Sequence, residues 1–245
     1  MATMDERTRL KHLAAAKAME FIESGMVLGL GEGSTTLLAV RRLGALVAAG
    51  ELRDIVGVPA SPRMAREARA LGIPLTSLEE QPCIDLTIDG ADEVDPQLDL
   101  IKGGGGALLR EKIIARATRR ELIIVDDSKL VARLGSRWAI PVEVVPFGYT
   151  TRLAWLRSLG SRPALRMRDG LPYRSDNGNF IIDCDFGPLE DAWVLSRQIK
   201  AETGIVEHGL FLGLTTDVIV AGVDGIRHLQ ATGRPEQDRE RVQDG

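Results

Sequence analysis

A short stretch of the chain combines carboxylates, a lysine and four consecutive glycines. Asp89 and Asp92 flank a Gly-Ala pair, Lys102 precedes residues 103–106, and Glu111 follows them. Proton transfer next to a carbonyl group requires a base for the carbon-bound proton, an acid for the oxygens and positive dipoles that stabilise an enediolate. The stretch therefore predicts an active site for this chemistry, and we call residues 103–106 the tetraglycine segment.

Glu111 has apolar neighbours if its segment is helical. At three and four positions on either side stand Ala107, Leu108, Ile114 and Ala115. No ion-pair partner is then available within the helix. Partial desolvation would increase the affinity of the carboxylate for a proton and suit it to act as a base. The alternative is an acid that only helps to cap the helix start.

A second glycine-rich motif, GLGEGSTT, starts at Gly29 between a predicted strand and a predicted helix. Its residues 31–35 are called the Gly-Ser loop. Bare amides, the hydroxyls of Ser34 and Thr35 and the helix dipole together suit a phosphate monoester. Ser34 stands where the dinucleotide fingerprint needs its third glycine, and no Gly-Lys-Ser/Thr of a P-loop occurs. A glycine turn with a capping hydroxyl remains the alternative.

Other polar residues carry weaker signals. Lys129 follows a predicted strand end and suits a sugar or phosphate oxygen, although lysines are mostly solvated. An Asp-Gly pair also suits an ordinary tight turn. The histidines His12, His208 and His228 lack metal-ligand spacing, and neither a nucleophile elbow nor a Cys/His pair occurs. We therefore expect no metal and no other cofactor.

The elements that position these residues alternate between two patterns. Apolar strands are predicted at residues 26–30, 55–58, 84–89 and 122–126, and helices at 5–23, 36–49, 63–71 and 108–119. This alternation is typical of a parallel, doubly wound α/β sheet. A ligand site is expected at the carboxyl ends of the strands, where Gly31, Pro59, Asp89 and Asp127 fall.

The pattern changes after about Gly135. Strand, helix, two strands and a second helix follow up to Ala201, and a returning strand near Ile205 completes a small split βαβ sandwich. Residues 209–223 resemble further sheet of the first domain. The sequence therefore predicts a first domain of residues 1–135 plus 206–230, a small α+β domain of residues 136–205, and a disordered tail of residues 231–245.

Composition narrows the classes of partner. A net charge of -4 without a dense Lys/Arg tract disfavours nucleic acid. The first residues are charged, and no stretch approaches the roughly 18 apolar residues of a membrane span. Cys83 and Cys184 are far apart in apolar stretches, which is typical of buried free thiols. We expect a cytoplasmic protein that has neither nucleic acid nor a membrane as partner.

Seven segments resemble, in order, the signature segments of ribose-5-phosphate isomerase type A: GLGEGSTT, DLTIDGADEVD, IKGGGGALLREKI, VDDSKLV, PVEVVPFG, SDNGNFIIDCDFG and GIVEHGLF. The likeness extends from about residue 5 to residue 228. It implies metal-free interconversion of ribose 5-phosphate and ribulose 5-phosphate in the pentose phosphate pathway. It also implies a homodimer and a Rossmann-like domain with a smaller inserted α+β domain of ferredoxin-like type.

The resemblance further implies roles for individual residues. Glu111 would move the proton between C2 and C1. Asp89 would assist ring opening and oxygen protonation with support from Asp92, and Lys102 would stabilise the enediolate together with the glycine amides. The implied substrate-binding residues are Glu32, Gly33, Ser34, Thr35, Asp89, Gly90, Ala91, Asp92, Lys102, Gly103, Gly104, Gly105 and Lys129.

Glu32 departs from the family pattern, which typically has Thr at this position. An anion therefore stands beside the expected phosphate. At about 4 Å and an effective dielectric constant near 20, two like unit charges repel by roughly 4 kcal/mol. We expect the Glu32 side chain to point outward, with only its backbone near the ligand.

Two other functions stay open at this point. A non-catalytic sugar-phosphate sensor on a related fold would bind the same ligand without turnover. An amino-sugar-phosphate deaminase would release ammonia from its substrate. The glycine motif around Gly31 and Gly33 is shared with other sugar-phosphate proteins, so turnover and ammonia release, not this motif, separate them from an isomerase.

Overall fold

The computed structural model describes residues 5–231. Within this range the helices are α1 (Glu6–Ala18), α2 (Ser34–Ala48), α3 (Pro62–Ala70), α4 (Leu108–Arg116), α5 (Tyr149–Ser158) and α6 (Ala192–Ala201). The strands are β1 (Val27–Leu30), β2 (Val56–Pro59), β3 (Ile84–Asp89), β4 (Glu93–Val94), β5 (Leu100–Ile101), β6 (Thr118–Asp126), β7 (Ile140–Val144), β8 (Arg162–Leu165), β9 (Met167–Arg168), β10 (Leu171–Pro172), β11 (Phe180–Asp185), β12 (Ile205–His208), β13 (Leu210–Phe211), β14 (Asp217–Gly222) and β15 (Gly225–Gln230).

The chain forms two compact units. Unit 1 contains the described residues up to Gly90, Glu111–Lys129 and those from Gly213 onward, and unit 2 contains Ala91–Arg110 and Leu130–Leu212. Residues 91–110, 130–135 and 206–212 thus group with unit 2, whereas the sequence pattern placed them in the first domain. The physical reason is that β5 pairs with both β4 and β13 in a separate three-stranded sheet, and that Val131 and Leu134 pack in the core cluster of unit 2.

Unit 1 is built on a six-stranded sheet with the order β15-β14-β6-β3-β1-β2. Neighbours from β2 to β14 pair in parallel, and β15 is an antiparallel edge strand. Ile88 of β3 packs with Leu10 of α1 and Leu43 of α2 in one core cluster. Val58 of β2 packs with Ile114 of α4 in a separate cluster. The predicted α/β fold with a mainly parallel sheet is therefore confirmed.

Side-chain caps explain several helix starts. Asp5 accepts the amide of Thr8 at the start of α1, and Asp191 accepts that of Val194 at the start of α6. Ser61 caps α3, which has a proline in its first position. By contrast, the cap residue before α2 is Gly33, which offers no side-chain cap. The donors at the start of α2 are thus left for another partner.

Some predicted bounds were wrong. The predicted helix of residues 108–119 ends at Arg116, and β6 begins at Thr118. The Thr118 hydroxyl donates to the Ile114 carbonyl at 2.7 Å and contacts the Thr87 hydroxyl at 2.7 Å, which fixes this residue in the sheet. Helix α2 starts two residues earlier than predicted. The predicted tail of residues 231–245 lies, apart from residue 231, outside the described residues.

Asp217 fixes the start of β14 through a polar network. Its carboxylate accepts hydrogen bonds from Arg120 at 2.8 and 2.9 Å, from His228 at 2.7 Å and from Thr216 at 2.8 Å. Burial disfavours the charged form, but the hydrogen bonds outweigh it and hold the pKa of Asp217 well below its usual range. His228 therefore serves to attach β15 to the sheet.

Unit 2 contains a four-stranded antiparallel sheet with the order β12-β7-β11-β8. Leu156 of α5 and Ile199 of α6 pack with Val142 and Cys184 in its core cluster. Cys83 and Cys184 are free cysteines, and burial raises the pKa of the Cys184 thiol. In residues 5–231, the structure has no helix of the length and apolarity that a membrane crossing requires.

Candidate active site

The Gly-Ser loop of unit 1 joins β1 to α2. Gly33 has a φ of 116°, a left-handed conformation that favours glycine. Ser34 and Thr35 form the first turn of α2, so their amides belong to the uncapped helix start. Lys11 of α1 donates from Nζ to the Ser34 hydroxyl at 2.9 Å. The loop therefore combines a helix N-terminus, hydroxyls and an ammonium group, which is a suitable arrangement for an anion.

Asp89 lies against this loop. Its side chain is buried, and its Oδ1 atom accepts the amides of Glu32 at 3.1 Å and of Gly90 at 2.7 Å. A Cβ atom on Gly31 would lie 2.1 Å from Asp89 Cγ. Gly31 is thus required because the carboxylate occupies the space beside its backbone. A Cβ on Gly90 would lie 3.9 Å from the Glu32 carbonyl oxygen, so Gly90 also borders the loop.

Glu32 does not point outward, and that expectation was wrong. Its side chain is only 10% exposed and pairs with Arg63 near the start of α3. Arg63 Nε donates to Glu32 Oε1 at 2.8 Å, Ser61 donates to Oε2, and the Gly33 amide donates to Oε1 at 3.1 Å. The charge is therefore neutralised by a neighbouring cation instead of being removed to solvent.

Glu111 lies in the first turn of α4, where its side chain is 5% exposed. Its neighbours Ala107, Leu108, Ile114 and Ala115 are also buried. Low exposure of a carboxylate strengthens its electrostatic interactions, because the surroundings screen charge less than water does. Lys129 is half-buried in the 3₁₀ turn Asp127–Lys129, directly after β6, the strand that pairs with β3.

In unit 2, Lys102 precedes the tetraglycine segment and is almost fully buried. Its amide donates to the Gly209 carbonyl at 2.9 Å, and its Nζ atom lies 5.5 Å from the centroid of the Phe211 ring. Ala91 and Asp92 are half-buried just before β4. Asp92 Oδ2 accepts the Gly104 amide at 2.8 Å. The structure thus brings Asp92 and the tetraglycine segment together.

The amides of the tetraglycine segment are not an open row of donors. The Gly104 amide is bound by Asp92, and the Gly106 amide donates to the Gly103 carbonyl at 3.0 Å. The exposed Gly105 amide has no hydrogen-bond acceptor among residues 5–231. The segment therefore has fewer available amides than the sequence pattern suggested, because Asp92 binds one and the Gly103 carbonyl accepts another.

Sequence reasoning missed Lys11 and Arg63. Lys11 lies in the middle of α1, and its spacing from the loop carries no signal. Arg63 follows the Ser-Pro pair that starts α3, directly after the end of β2. Because the ends of neighbouring parallel strands meet at one edge of a sheet, this cation was a foreseeable partner for the unusual Glu32.

A family model described as ribose 5-phosphate isomerase A (phosphoriboisomerase A) matches residues 56–225. The chain belongs to this family. It is 56% identical over 230 residues to ribose-5-phosphate isomerase A of Chloroflexus aurantiacus, covering 94% of this chain and 96% of the relative. It is 53% identical to a probable chloroplastic ribose-5-phosphate isomerase 3 of Arabidopsis thaliana, with coverage of 89% and 81%.

Solved structures of isomerases have the same fold. A D-ribose-5-phosphate isomerase in complex with phospho-erythronic acid superimposes with a TM-score of 0.90 at 39% identity, covering 93% of this chain and 100% of the other. The ribose 5-phosphate isomerase of Plasmodium falciparum gives a TM-score of 0.89 at 39% identity, with coverage of 92% and 99%. The fold is therefore shared over nearly the whole length.

Proposed function

We propose that the protein is an aldose-ketose isomerase that interconverts ribose 5-phosphate and ribulose 5-phosphate in the pentose phosphate pathway. Family membership over most of the chain supports this reaction. The observation that carries it is the buried carboxylate of Glu111, which follows the tetraglycine segment in the first turn of α4. A buried carboxylate suits the removal of a proton next to a carbonyl, and backbone amides suit the oxygen of the enediolate.

In the proposed mechanism, Asp89 assists opening of the sugar ring and protonation of the oxygens. Glu111 then takes the proton from C2 of the open aldose, and the electron pair forms the C1–C2 double bond of an enediolate. As the ketone forms, Asp89 carries the proton of the C2 hydroxyl to the oxygen on C1, and Glu111 returns the first proton to C1. Lys102 and the Gly105 amide stabilise the negative oxygen in between.

The proposed phosphate site is the Gly-Ser loop, because the uncapped start of α2 offers amides and a favourable dipole. Residues 32–35 contribute backbone amides and hydroxyls. Lys11 adds a positive charge, and Lys129 binds a further sugar or phosphate oxygen. Asp92 acts indirectly by holding Gly104, and Gly90, Ala91 and Gly103 line the sugar.

The first test is conversion of ribose 5-phosphate to ribulose 5-phosphate by the purified protein in excess chelator. Turnover would support the isomerase and show that no dissociable metal is required. Saturable binding of the sugar phosphate without turnover would contradict the proposal and favour a sensor. Release of ammonia from an amino-sugar phosphate, with no isomerase activity, would favour a deaminase.

Replacement of Glu111 by glutamine tests the base directly. Glu111→Gln keeps the shape of the side chain but removes the basic oxygen, so we expect kcat to fall by roughly 1,000-fold with substrate affinity retained. Exchange of the substrate C2 proton with deuterated solvent should fall in parallel. Glu51→Gln, at an exposed glutamate, is the control and should match the wild type. Exchange at the wild-type rate in Glu111→Gln would refute the assignment.

We also propose a homodimer in the cytoplasm and a ferredoxin-like fold for the small domain, inserted in a Rossmann-like first domain. The antiparallel order β12-β7-β11-β8, with α5 and α6 between its strands, supports the ferredoxin-like part. Light scattering should give twice the chain mass of 26.6 kDa. Cell fractionation tests the location. Hydrogen exchange of the whole chain tests whether the two domains unfold as separate cooperative units.

A further inference from the structure

Two side chains of unit 2 bind the carbonyl side of the tetraglycine segment. Arg166 Nη1 donates to the Gly103 carbonyl at 2.9 Å and to the Gly104 carbonyl at 3.2 Å. The Tyr173 hydroxyl donates to the Gly105 carbonyl at 3.3 Å. Three successive carbonyls are therefore bound by residues that lie more than sixty positions away in the sequence.

Arg166 is itself fixed in place. Asp183 of β11 accepts its Nε at 2.9 Å and also pairs with its Nη2, and the Arg166 side chain is only 15% exposed. The Arg166 amide donates to the Ile181 carbonyl at 2.8 Å. A bidentate pair of this kind fixes the plane of the guanidinium as well as its position. The remaining donor, Nη1, is thereby held against the glycine carbonyls.

Tyr173 also supports the tetraglycine segment. Its amide donates to the Arg166 carbonyl at 2.9 Å, and the Arg168 guanidinium lies 4.4 Å from its ring centroid. Burial raises the pKa of Tyr173 above its ordinary value, so the phenol keeps the proton that it donates to Gly105. A Cβ on Gly106 would lie 2.2 Å from the Tyr173 oxygen, so only glycine fits there.

The orientation of a carbonyl determines the orientation of the next amide. The peptide bond is planar and trans, so the C=O of one residue and the N–H of the following residue point in opposite directions. With the Gly103 carbonyl on Arg166, the Gly104 amide faces away, where Asp92 binds it at 2.8 Å. With the Gly104 carbonyl on Arg166, the Gly105 amide also faces away from the guanidinium.

We infer that Arg166 is a positioning residue for the isomerase reaction. It holds the Gly103 and Gly104 carbonyls, directs the Gly105 amide toward the oxyanion of the enediolate, and polarises that peptide with its positive charge. Asp183 keeps Arg166 in place, and Tyr173 fixes the next peptide. The inference rests on the proposed function, since it names the residues that orient the oxyanion donor of that site.

The test compares Arg166→Met with Arg162→Met. Arg166→Met removes the donors but keeps an unbranched apolar stem. Arg162, four residues before Arg166, forms an exposed pair with Asp185 of β11 and lacks hydrogen bonds to the glycines among the described contacts, so Arg162→Met is a matched control. Because misplaced oxyanion donors cost about one to two orders of magnitude, we expect kcat of Arg166→Met to fall by about 10- to 100-fold. KM should change by less than about threefold, because the Gly-Ser loop is untouched.

Inhibition by phospho-erythronate gives a readout that a structural role would not move. Its carboxylate oxygens stand in for the charged oxygens of the enediolate, so its inhibition constant should rise about as much as kcat falls, by roughly 10-fold or more. Arg166→Lys keeps the charge without the bidentate geometry and should recover part of kcat. If Arg166→Met does not fold, Arg166→Lys is judged by the same criteria.

A kcat for the Arg166 variants equal to that of Arg162→Met would overturn the inference. Equal weakening of substrate and phospho-erythronate would overturn it too, since the loss would then lie in binding of the common phosphate. Wild-type protein without isomerase activity would instead contradict the proposed function.

Discussion

The Gly-Ser loop and the tetraglycine segment are both rich in glycine, but the structure uses them differently. In the Gly-Ser loop, the start of α2 orients the amides, because Gly33 leaves them without a side-chain cap. In the tetraglycine segment, Arg166 and Tyr173 hold the carbonyls, and Asp92 takes one of the amides. The first arrangement depends on local helix geometry and the second on distant side chains.

This difference shows what glycine contributes in each region. Gly31 clears space for the carboxylate of Asp89, whose Cγ would lie 2.1 Å from a Cβ atom. Gly103 and Gly106 allow left-handed backbone, with φ values of 105° and 88°. Both regions therefore use glycine for both reasons, since Gly33 of the Gly-Ser loop also has a φ of 116° and a Cβ atom on Gly106 would lie 2.2 Å from the Tyr173 oxygen.

The largest effect is expected for Gly31→Ala. The added methyl group overlaps Asp89 and must displace the carboxylate, and a shift of about 1 Å in such a group costs on the order of 100-fold in rate. We expect kcat/KM to fall by at least this factor. Steady-state kinetics, with circular dichroism to confirm folding, provide the measurement.

Gly33→Ala is the comparison within the same loop. A Cβ on Gly33 would meet no atom within 4 Å, so only the cost of its positive φ remains. Backbone strain of this kind lowers the free energy of unfolding by about 1–3 kcal/mol. If both variants lost activity equally, close approach to Asp89 would not be the reason for Gly31.

A smaller effect is expected for Arg63→Met. Removal of the guanidinium leaves the Glu32 carboxylate without its cation beside the phosphate. At about 6 Å and an effective dielectric constant near 20, the repulsion reaches up to roughly 3 kcal/mol before further screening. We expect KM to rise about tenfold, with kcat changed less, in assays over a range of substrate concentrations.

Glu32→Thr tests whether Arg63 lowers KM by neutralising Glu32 or by contacting the phosphate directly. The single variant removes an anion that is already neutralised, so its KM should stay within about threefold of the wild-type value. Combined with Arg63→Met, the substitution should return KM toward the wild-type value. A double variant as weak as Arg63→Met alone would mean that Arg63 acts on the phosphate directly.

The smallest effect is expected for Lys11→Met. Its ammonium contacts Ser34 at 2.9 Å from a partly exposed position, where a charge contributes about 1 kcal/mol or less. KM should rise by roughly threefold to fivefold at low salt, and the difference should shrink in high salt because of screening. Lys17→Met, which breaks an exposed pair with Glu20 on the same helix, should leave KM unchanged. A salt-independent effect would argue against an electrostatic role.

Much of the framework could be predicted from the sequence. Apolar strands followed by glycine or aspartate indicated the parallel sheet, and Asp89 does end β3 beside the Gly-Ser loop. Apolar neighbours of Glu111 indicated the burial that the structure shows. These features depend on residues close in sequence, where periodicity carries the signal.

Other features depend on partners that sequence spacing does not reveal. Glu32 is neutralised by Arg63, 31 positions away, and the amide of Gly104 is taken by Asp92, 12 positions away. Two-residue strands such as β4 and β5 are too short for a periodic pattern. Local pattern therefore indicated candidate residues for the chemistry, but not which of their donors and acceptors were already occupied.

Gly106 also has a consequence for the evolution of the protein. Its φ of 88° and the Tyr173 oxygen, 2.2 Å from a Cβ atom, constrain it in two independent ways. A smaller residue at 173 would make room but leave the dihedral penalty of about 1–3 kcal/mol, and it would remove the bond to Gly105. Substitution at 106 first would incur both penalties together. No neutral single step leads away from this glycine, so sequence drift in descendants of the chain should stop there.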